Sequence, residues 1–139
     1  MSEKCVGLTF FNWFIMTKVT FYKKNGVYYG FRETGHAGMS DGIGVDELCA
    51  GLSAMTMLVV NTIEVSFAGT VNYMYDPDTT DVQVISEDAL PDSGTDEKKR
   101  FAISGLIEGY YLQLSDMLED YYDFLEVSET DDDPPADIR

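Results

Sequence analysis

The feature that most constrains the fold is the dipeptide Asn25-Gly26, which stands between two runs that favour β-strands. In the first run, residues 17–23, apolar and polar side chains alternate, as expected for a half-buried strand. Asn-Gly is the strongest short signal for a β-hairpin, because both central positions of a type I′ turn require a positive φ. We therefore predict a return strand over residues 27–34.

The return strand leads into Gly35 and His36, the only histidine of the chain. Twelve residues separate His36 from Cys49, which is one of two cysteines. The segment between them is glycine-rich and is predicted to be a loop over residues 39–45. Three glycines, Gly38, Gly42 and Gly44, would let this substrate loop open for an extended peptide and then order over it; the alternative is that the loop simply connects strand and helix.

An amphipathic helix is predicted after this loop, because apolar residues recur there at offsets of three and four. The members of this apolar stripe are Leu48, Leu52, Met55, Val59 and Ile63. Asp46 is the expected N-cap, since its carboxylate can accept hydrogen bonds from backbone N–H groups two or three residues on. Cys49 would then lie near the helix start, where unsatisfied N–H groups favour a thiolate. Polar Ser53, one turn on, indicates that Cys49 lies at the edge of the buried face.

Cys49 and His36 together are the parts of a nucleophilic site. A thiol is a strong nucleophile only as a thiolate, and a nearby imidazole promotes that form. Each residue also has a plainer interpretation, since free cysteines are mostly buried and inert and a histidine in a loop is often structural. One histidine and two cysteines are too few for a structural zinc site, so we expect no metal and no cofactor.

The pattern Gly-His-Ala, a glycine-containing loop and then Asp-x-x-Cys-Ala-Gly-x-Ser-Ala resembles the signature of the bacterial ribosomal-processing cysteine proteases (Prp). The resemblance extends from about residue 16 to residue 127. It implies a homodimeric cysteine endopeptidase that removes the N-terminal extension of large-subunit ribosomal protein L twenty-seven. The histidine and cysteine of the signature are the family's catalytic pair, which correspond to His36 and Cys49. The family's supporting positions correspond to Gly35, Asp46 and Ser53.

The remainder of the chain predicts three more strands and a second helix. Residues 70–75 and 81–86 form two strands about a turn, and residues 122–127 form the last strand. Thr95 is the expected cap of the second helix. The order β-β-α-β-β-α-β favours an α+β fold, in which a mixed or antiparallel sheet of about five short strands has two helices on one face.

The net charge of −16 lies almost wholly in the second half, where residues 76–139 contain four Lys or Arg and nineteen Asp or Glu. Such a surface disfavours nucleic acid and anionic membrane, because phosphate contacts require cationic side chains. It would attract a basic partner, such as a ribosomal protein precursor. Without a disulfide framework, a cytoplasmic location is expected.

We expect three segments: an N-terminal extension or disordered arm over residues 1–15, a protease domain over 16–128 and a disordered acidic tail over 129–139. The apolar part of the first segment is too short to cross a membrane. Its sequence Leu-Thr-Phe-Phe, residues 8–11, is similar to the residues before the cut in the family's substrate. It could therefore be a self-processing site, although Asn12 stands where a small residue is expected.

The residues and the resemblance together predict a cysteine endopeptidase that acts on a ribosomal protein. The alternative is a non-catalytic binding module for a basic ribosomal or phage protein. Thiol reactivity separates the two, since a catalytic Cys49 would alkylate quickly at pH 6, where an ordinary thiol is almost fully protonated.

Overall fold

The computed structural model describes residues 16–35 and 43–136. Its helices and strands are, in chain order, β1 Thr17–Lys24, β2 Val27–Thr34, α1 Ile43–Asn61, β3 Asn72–Tyr75, β4 Val82–Ile85, α2 Glu97–Tyr121 and β5 Leu125–Thr130. A π-helical turn, Thr62–Ser66, extends α1, and two short 3-10 turns precede α2. The predicted order of elements is confirmed.

The five strands form one mixed sheet in the order β3-β4-β2-β1-β5. Neighbouring strands are antiparallel except β1 and β5, which are parallel. A parallel pair requires a long crossover, and here the chain between β1 and β5 includes both helices. The predicted α+β class is therefore confirmed.

The hairpin at the start of the sheet forms as the Asn-Gly signal predicts. Asn25 and Gly26 have φ values of +51° and +80°, the left-handed conformation that a type I′ turn requires. Strand β2 has the predicted bounds, and β1 extends one residue further than predicted. A register shift in β1, between Tyr22 and Lys23, adds local twist close to the turn.

Both helices pack on the same face of the sheet. Phe21 and Phe31 are cross-strand partners on β1 and β2, and both are fully buried. Their rings contact that of Tyr110 on α2, with centroid distances of 5.5 and 4.9 Å. Glu33 shares this face two residues after Phe31, and its carboxylate is bonded by Thr56 of α1. The predicted arrangement of two helices on one face is therefore confirmed.

The second helix begins one residue later than predicted, with Asp96 rather than Thr95 as its N-cap. A carboxylate oxygen of Asp96 accepts a hydrogen bond from the Lys99 backbone N–H at 2.9 Å. The hydroxyl of Thr95 instead donates to Asp88 at 3.1 Å. The prediction was wrong because both residue types are good N-caps. The hydroxyl of Thr95 is bonded to Asp88, so Asp96 caps the helix instead.

The last strand starts later and ends later than predicted, at Leu125 and Thr130. Residues 122–124 form a turn, in which the backbone N–H of Phe124 donates to Tyr121 O at 2.8 Å. The strand thus includes two residues of the segment that we expected to be a tail. Beyond it, Asp133 pairs with Lys24 at 3.3 Å, and the carbonyl of Pro135 accepts from Gln83 at 3.1 Å.

One helical segment of the described chain, Glu47–Ser66, is long and apolar enough to cross a membrane, with a mean hydropathy of 1.6. In this fold, one side of the segment is buried against the sheet and α2. On the other side, Met57, Leu58 and Val65 are 39%, 59% and 79% exposed. We call these three residues the α1 apolar strip.

We predict that Phe31→Ala lowers the free energy of unfolding by about 3–5 kcal/mol, because it removes a ring that joins β2 to α2. The matched control is Phe101→Ala on α2, whose ring is 80% exposed. This control should change stability by less than about 0.5 kcal/mol. Urea denaturation followed by circular dichroism measures both, and equal losses would contradict the packing described above.

Candidate active site

The strand β2 ends beside the first residue of β1, at a position that requires glycine. Gly35 has a φ of +87°, which disfavours any residue with a Cβ. A Cβ at this position would also overlap the carbonyl oxygen of Met16. The close approach of these two backbones thus fixes where the chain leaves the sheet. His36 is the next residue in the sequence, and it lies outside the described residues together with Gly38 and Gly42.

Helix α1 begins at Ile43, three residues before the predicted cap. Asp46 is therefore the fourth helical residue and not the N-cap, and Gly44 is helical rather than part of a loop. These two predictions were wrong because a single glycine within a helix costs only about 1 kcal/mol relative to alanine, which the adjacent apolar turns can offset. An acidic residue in this first turn is still favoured by the helix dipole.

Cys49 is the seventh residue of α1 and lies one turn further from the helix start than expected. Backbone N–H groups at this depth bond within the helix, and the dipole effect is confined to the first turn. The field of the helix end therefore favours a thiolate at Cys49 less than the sequence predicts. Cys49 is partly exposed, between buried Leu48 and exposed Ala50, at the edge of the buried face as predicted.

Ser53 is exposed one turn after Cys49. Residues four apart on a helix are neighbours on its surface, so the hydroxyl of Ser53 and the thiol of Cys49 share one side of α1. Glu47, two residues before Cys49 and therefore on the opposite side of α1, accepts a hydrogen bond from Tyr121 OH at 3.3 Å. That bond joins the first turns of α1 to the last turn of α2.

A buried polar cluster that we did not predict from the sequence joins the sheet to both helices. It consists of Glu33 on β2, Thr56 on α1 and Tyr110 on α2, which are 2%, 3% and 4% exposed. The hydroxyls of Thr56 and Tyr110 both donate to the same carboxylate oxygen, Oε2 of Glu33, at 2.8 and 2.5 Å. We call this group the Glu33 cluster.

Within the Glu33 cluster, the pKa values of the carboxyl group and of the phenol are both raised. Burial raises the pKa of Glu33 to about 7, and the two hydrogen bonds from the hydroxyls oppose that rise. Burial and the adjacent Glu33 carboxylate raise the pKa of Tyr110, so this phenol stays protonated and remains a donor. A signal was present in the sequence, since Glu33 is a charged residue on the core face of β2.

Among residues 16–35 and 43–136, no group of three or more His, Cys, Asp or Glu residues is arranged to hold a metal ion. Cys49 presents a partly exposed thiol on this part of α1. A partly exposed thiol on a helix that packs against a mixed sheet defines a candidate cysteine peptidase of the α+β class.

The comparisons with known proteins agree with this class. Residues 16–126 match the family model of the cysteine protease Prp. The match covers more than three quarters of the chain, which therefore belongs to the cysteine protease Prp family and is a cysteine-type peptidase. A search of the curated proteins finds no significant match.

Solved structures share the fold. A Streptococcus mutans protein has 26% identity and a TM-score of 0.66, and the aligned region covers 83% of this chain and 96% of that one. The essential ribosomal processing protease Prp of S. aureus with a substrate peptide has 17% identity and a TM-score of 0.67. The same protease with a covalently linked product peptide has 22% identity and a TM-score of 0.64. In both alignments 83% of this chain and all of the S. aureus chain are covered.

We predict that Gly35→Ala destabilises the fold more than Gly94→Ala does. Both glycines have a positive φ, +87° and +83°, so each substitution costs about 1–2 kcal/mol of backbone strain. Only at Gly35 would the new Cβ overlap the backbone of Met16, just before β1, whereas the space around Gly94 is open. Thermal unfolding of the two variants measures the difference, and equal melting temperatures would show that β1 and Gly35 are not in close contact.

Proposed function

We propose that this chain is a cysteine endopeptidase in which Cys49 is the nucleophile and His36 is the general base. The observation that carries this proposal is that the Gly-His-Ala and Asp-x-x-Cys signature lies within the region that matches the cysteine protease Prp family. The partly exposed position of Cys49 on α1 supports it, since a nucleophile must be reached by substrate. Only eight residues, 35–42, separate the end of β2 from the start of α1.

The proposed reaction proceeds by acyl transfer through the thiol. The thiolate of Cys49 attacks the carbonyl carbon of the scissile peptide bond, and the C–N bond then breaks as the imidazolium of His36 gives its proton to the leaving amine. His36 next takes a proton from water, which attacks the thioester and releases the new carboxyl terminus. The S. aureus protease has been solved with a covalently linked product peptide, which supports a covalent step of this kind.

Three further residues are proposed to support this chemistry. Gly35 lets the chain leave β2 against the backbone of Met16 and so sets the starting point for His36. Ser53, exposed beside Cys49 on the helix surface, is available to hydrogen-bond substrate or the thiolate. Asp46, in the first turn of α1, adds a negative charge that would favour the imidazolium form of a nearby histidine.

The proposed substrate is the N-terminal extension of large-subunit ribosomal protein L twenty-seven. A related S. aureus protease is described as a ribosomal processing protease in complex with a substrate peptide. The net charge of −16 also suits a basic ribosomal protein, because opposite charges accelerate encounter. Such a substrate implies a cytoplasmic enzyme that supports ribosome assembly.

We predict that the purified protein cleaves a peptide copying the N-terminal extension of its own organism's L twenty-seven at one bond. Cys49→Ala and His36→Ala should each abolish cleavage, because one removes the nucleophile and the other its base. Both variants should keep their free energy of unfolding within about 1–2 kcal/mol of the parent. Mass spectrometry of the products and thermal unfolding provide these measurements.

Two results would contradict the proposal. Full cleavage by Cys49→Ala would exclude the thiol as nucleophile. Binding of the peptide without any cleavage by the parent protein would favour a non-catalytic binding module. Raising the salt concentration in the same assay tests the proposed attraction, since the association rate of a basic peptide should then fall.

We propose in addition that the protein is a homodimer that buries the α1 apolar strip. Leu58 and Val65 are exposed by 59% and 79%, and contiguous apolar surface of this kind marks sites of association. Leu58→Glu should therefore shift the protein from dimer to monomer in sedimentation velocity at micromolar concentration. Phe101→Glu on α2, an equally apolar but separate site, is the control and should remain dimeric. A parent protein that sediments as a monomer would refute the proposal.

A further inference from the structure

We propose that Glu33 is a positioning residue for the peptidase reaction, and that it acts through its hydrogen bond from Thr56. This bond joins the strand that leads to His36 directly to the helix that carries Cys49. The inference rests on the catalytic pair proposed above, and it assigns Glu33 no contact with substrate.

Glu33 is held in place by the strands on either side of it. Glu33 lies three positions before His36, and its backbone pairs with Val19 of β1 on one side and with Val82 of β4 on the other. A strand that is paired on both sides has little freedom to shift along its neighbours. The carboxyl group of Glu33 is therefore a fixed point of the sheet, close to where the chain continues to His36.

Thr56 and Cys49 lie on nearly the same face of α1. Thr56 follows Cys49 by seven residues, and a helix turns by about 100° per residue, so these two side chains lie within about 20° of the same face. Seven residues correspond to about 10 Å along the axis. The hydrogen bond of 2.8 Å from Thr56 to Glu33 therefore sets both the rotation and the height of the helix face that bears Cys49.

A directional bond matters here because the other buried side chains in the described part of α1 are apolar. They include Leu48, Leu52 and Val59, each about 1% exposed. Apolar burial is non-directional, so it stabilises contact between α1 and the sheet without selecting one rotation of the helix. A buried hydroxyl that must find its acceptor does select one, since an unpaired buried polar group costs about 1–3 kcal/mol.

Within the Glu33 cluster, Tyr110 provides a control for the proposed role of Thr56. Thr56 and Tyr110 donate to the same oxygen of Glu33, but Tyr110 belongs to α2, which carries no proposed catalytic residue. If Glu33 served only to satisfy polar groups in the core, loss of either hydroxyl would have the same kind of effect. If Glu33 positions Cys49, loss of the Thr56 hydroxyl alone should impair the chemistry.

The test compares Thr56→Val, which removes the hydroxyl but keeps the shape, with Tyr110→Phe. Thr56→Ser and Glu33→Gln are conservative rescue variants, since each keeps the donor or the acceptor of the bond. All are made with Cys5→Ser so that Cys49 is the only thiol in the chain. Each is assayed below its unfolding temperature for kcat and KM on the L twenty-seven peptide and for the rate of Cys49 alkylation by iodoacetamide at pH 6–7.

We expect Thr56→Val to lower kcat about tenfold with KM within about twofold, and to slow the alkylation of Cys49. Tyr110→Phe should leave kcat and alkylation within about twofold, although it removes a hydrogen bond of the same cluster and lowers the unfolding temperature. Thr56→Ser and Glu33→Gln should keep kcat within about threefold, because a hydroxyl and an acceptor oxygen are again paired.

Equal losses of kcat in Thr56→Val and Tyr110→Phe, or no loss in Thr56→Val, would overturn the inference. A tenfold loss in Glu33→Gln would also overturn it, since the acceptor is present in that variant. If the parent protein does not cleave the peptide, the proposed function fails, but the alkylation rates still test the positioning role. In that case, equal alkylation of Thr56→Val and Tyr110→Phe would overturn it.

Discussion

The pairing of β2 with β1 on one side and with β4 on the other is the constraint on which the rest of the structure depends. It places Phe31 and Glu33 on the face that the helices cover, and it brings Gly35 against the backbone of Met16. The turn at Asn25 makes this pairing local, because it joins β1 to β2 by two residues. Once β2 is fixed, the exit of the chain toward the proposed base is fixed as well.

The early start of α1 changes how the reactivity of the thiol is explained. A cysteine in the first turn would gain thiolate character from the helix end alone. Cys49 lies deeper, so the helix end alone does not explain a reactive thiol. In the mechanism that we propose, His36 supplies the base from the segment that follows β2, so the relative placement of α1 and β2 affects the chemistry as well as the packing.

The Glu33 cluster shows how the core tolerates a charge. A carboxyl group without partners would be too costly to bury, and two hydroxyls from different helices reduce that cost. Apolar residues at these positions could also fill the core. A buried carboxyl group with two hydroxyl partners therefore departs from the usual apolar core, and such departures are expected where function requires them. Its raised pKa follows from burial and leaves the group able to change protonation near neutral pH.

The sequence by itself determined the local elements and the family. Alternation of side chains predicted β1 and β2, the Asn-Gly signal predicted their turn, and the signature around His36 and Cys49 indicated a cysteine peptidase. Only the tertiary structure decided the parallel pairing of β1 with β5, the choice of Asp96 over Thr95 as a cap, and the meeting of Glu33, Thr56 and Tyr110. The periodicity of apolar residues in a sequence predicts contacts only between residues that are close in the chain, two apart in a strand or one turn apart in a helix. Glu33 and Tyr110 are 77 residues apart, and contacts over that distance have no local pattern.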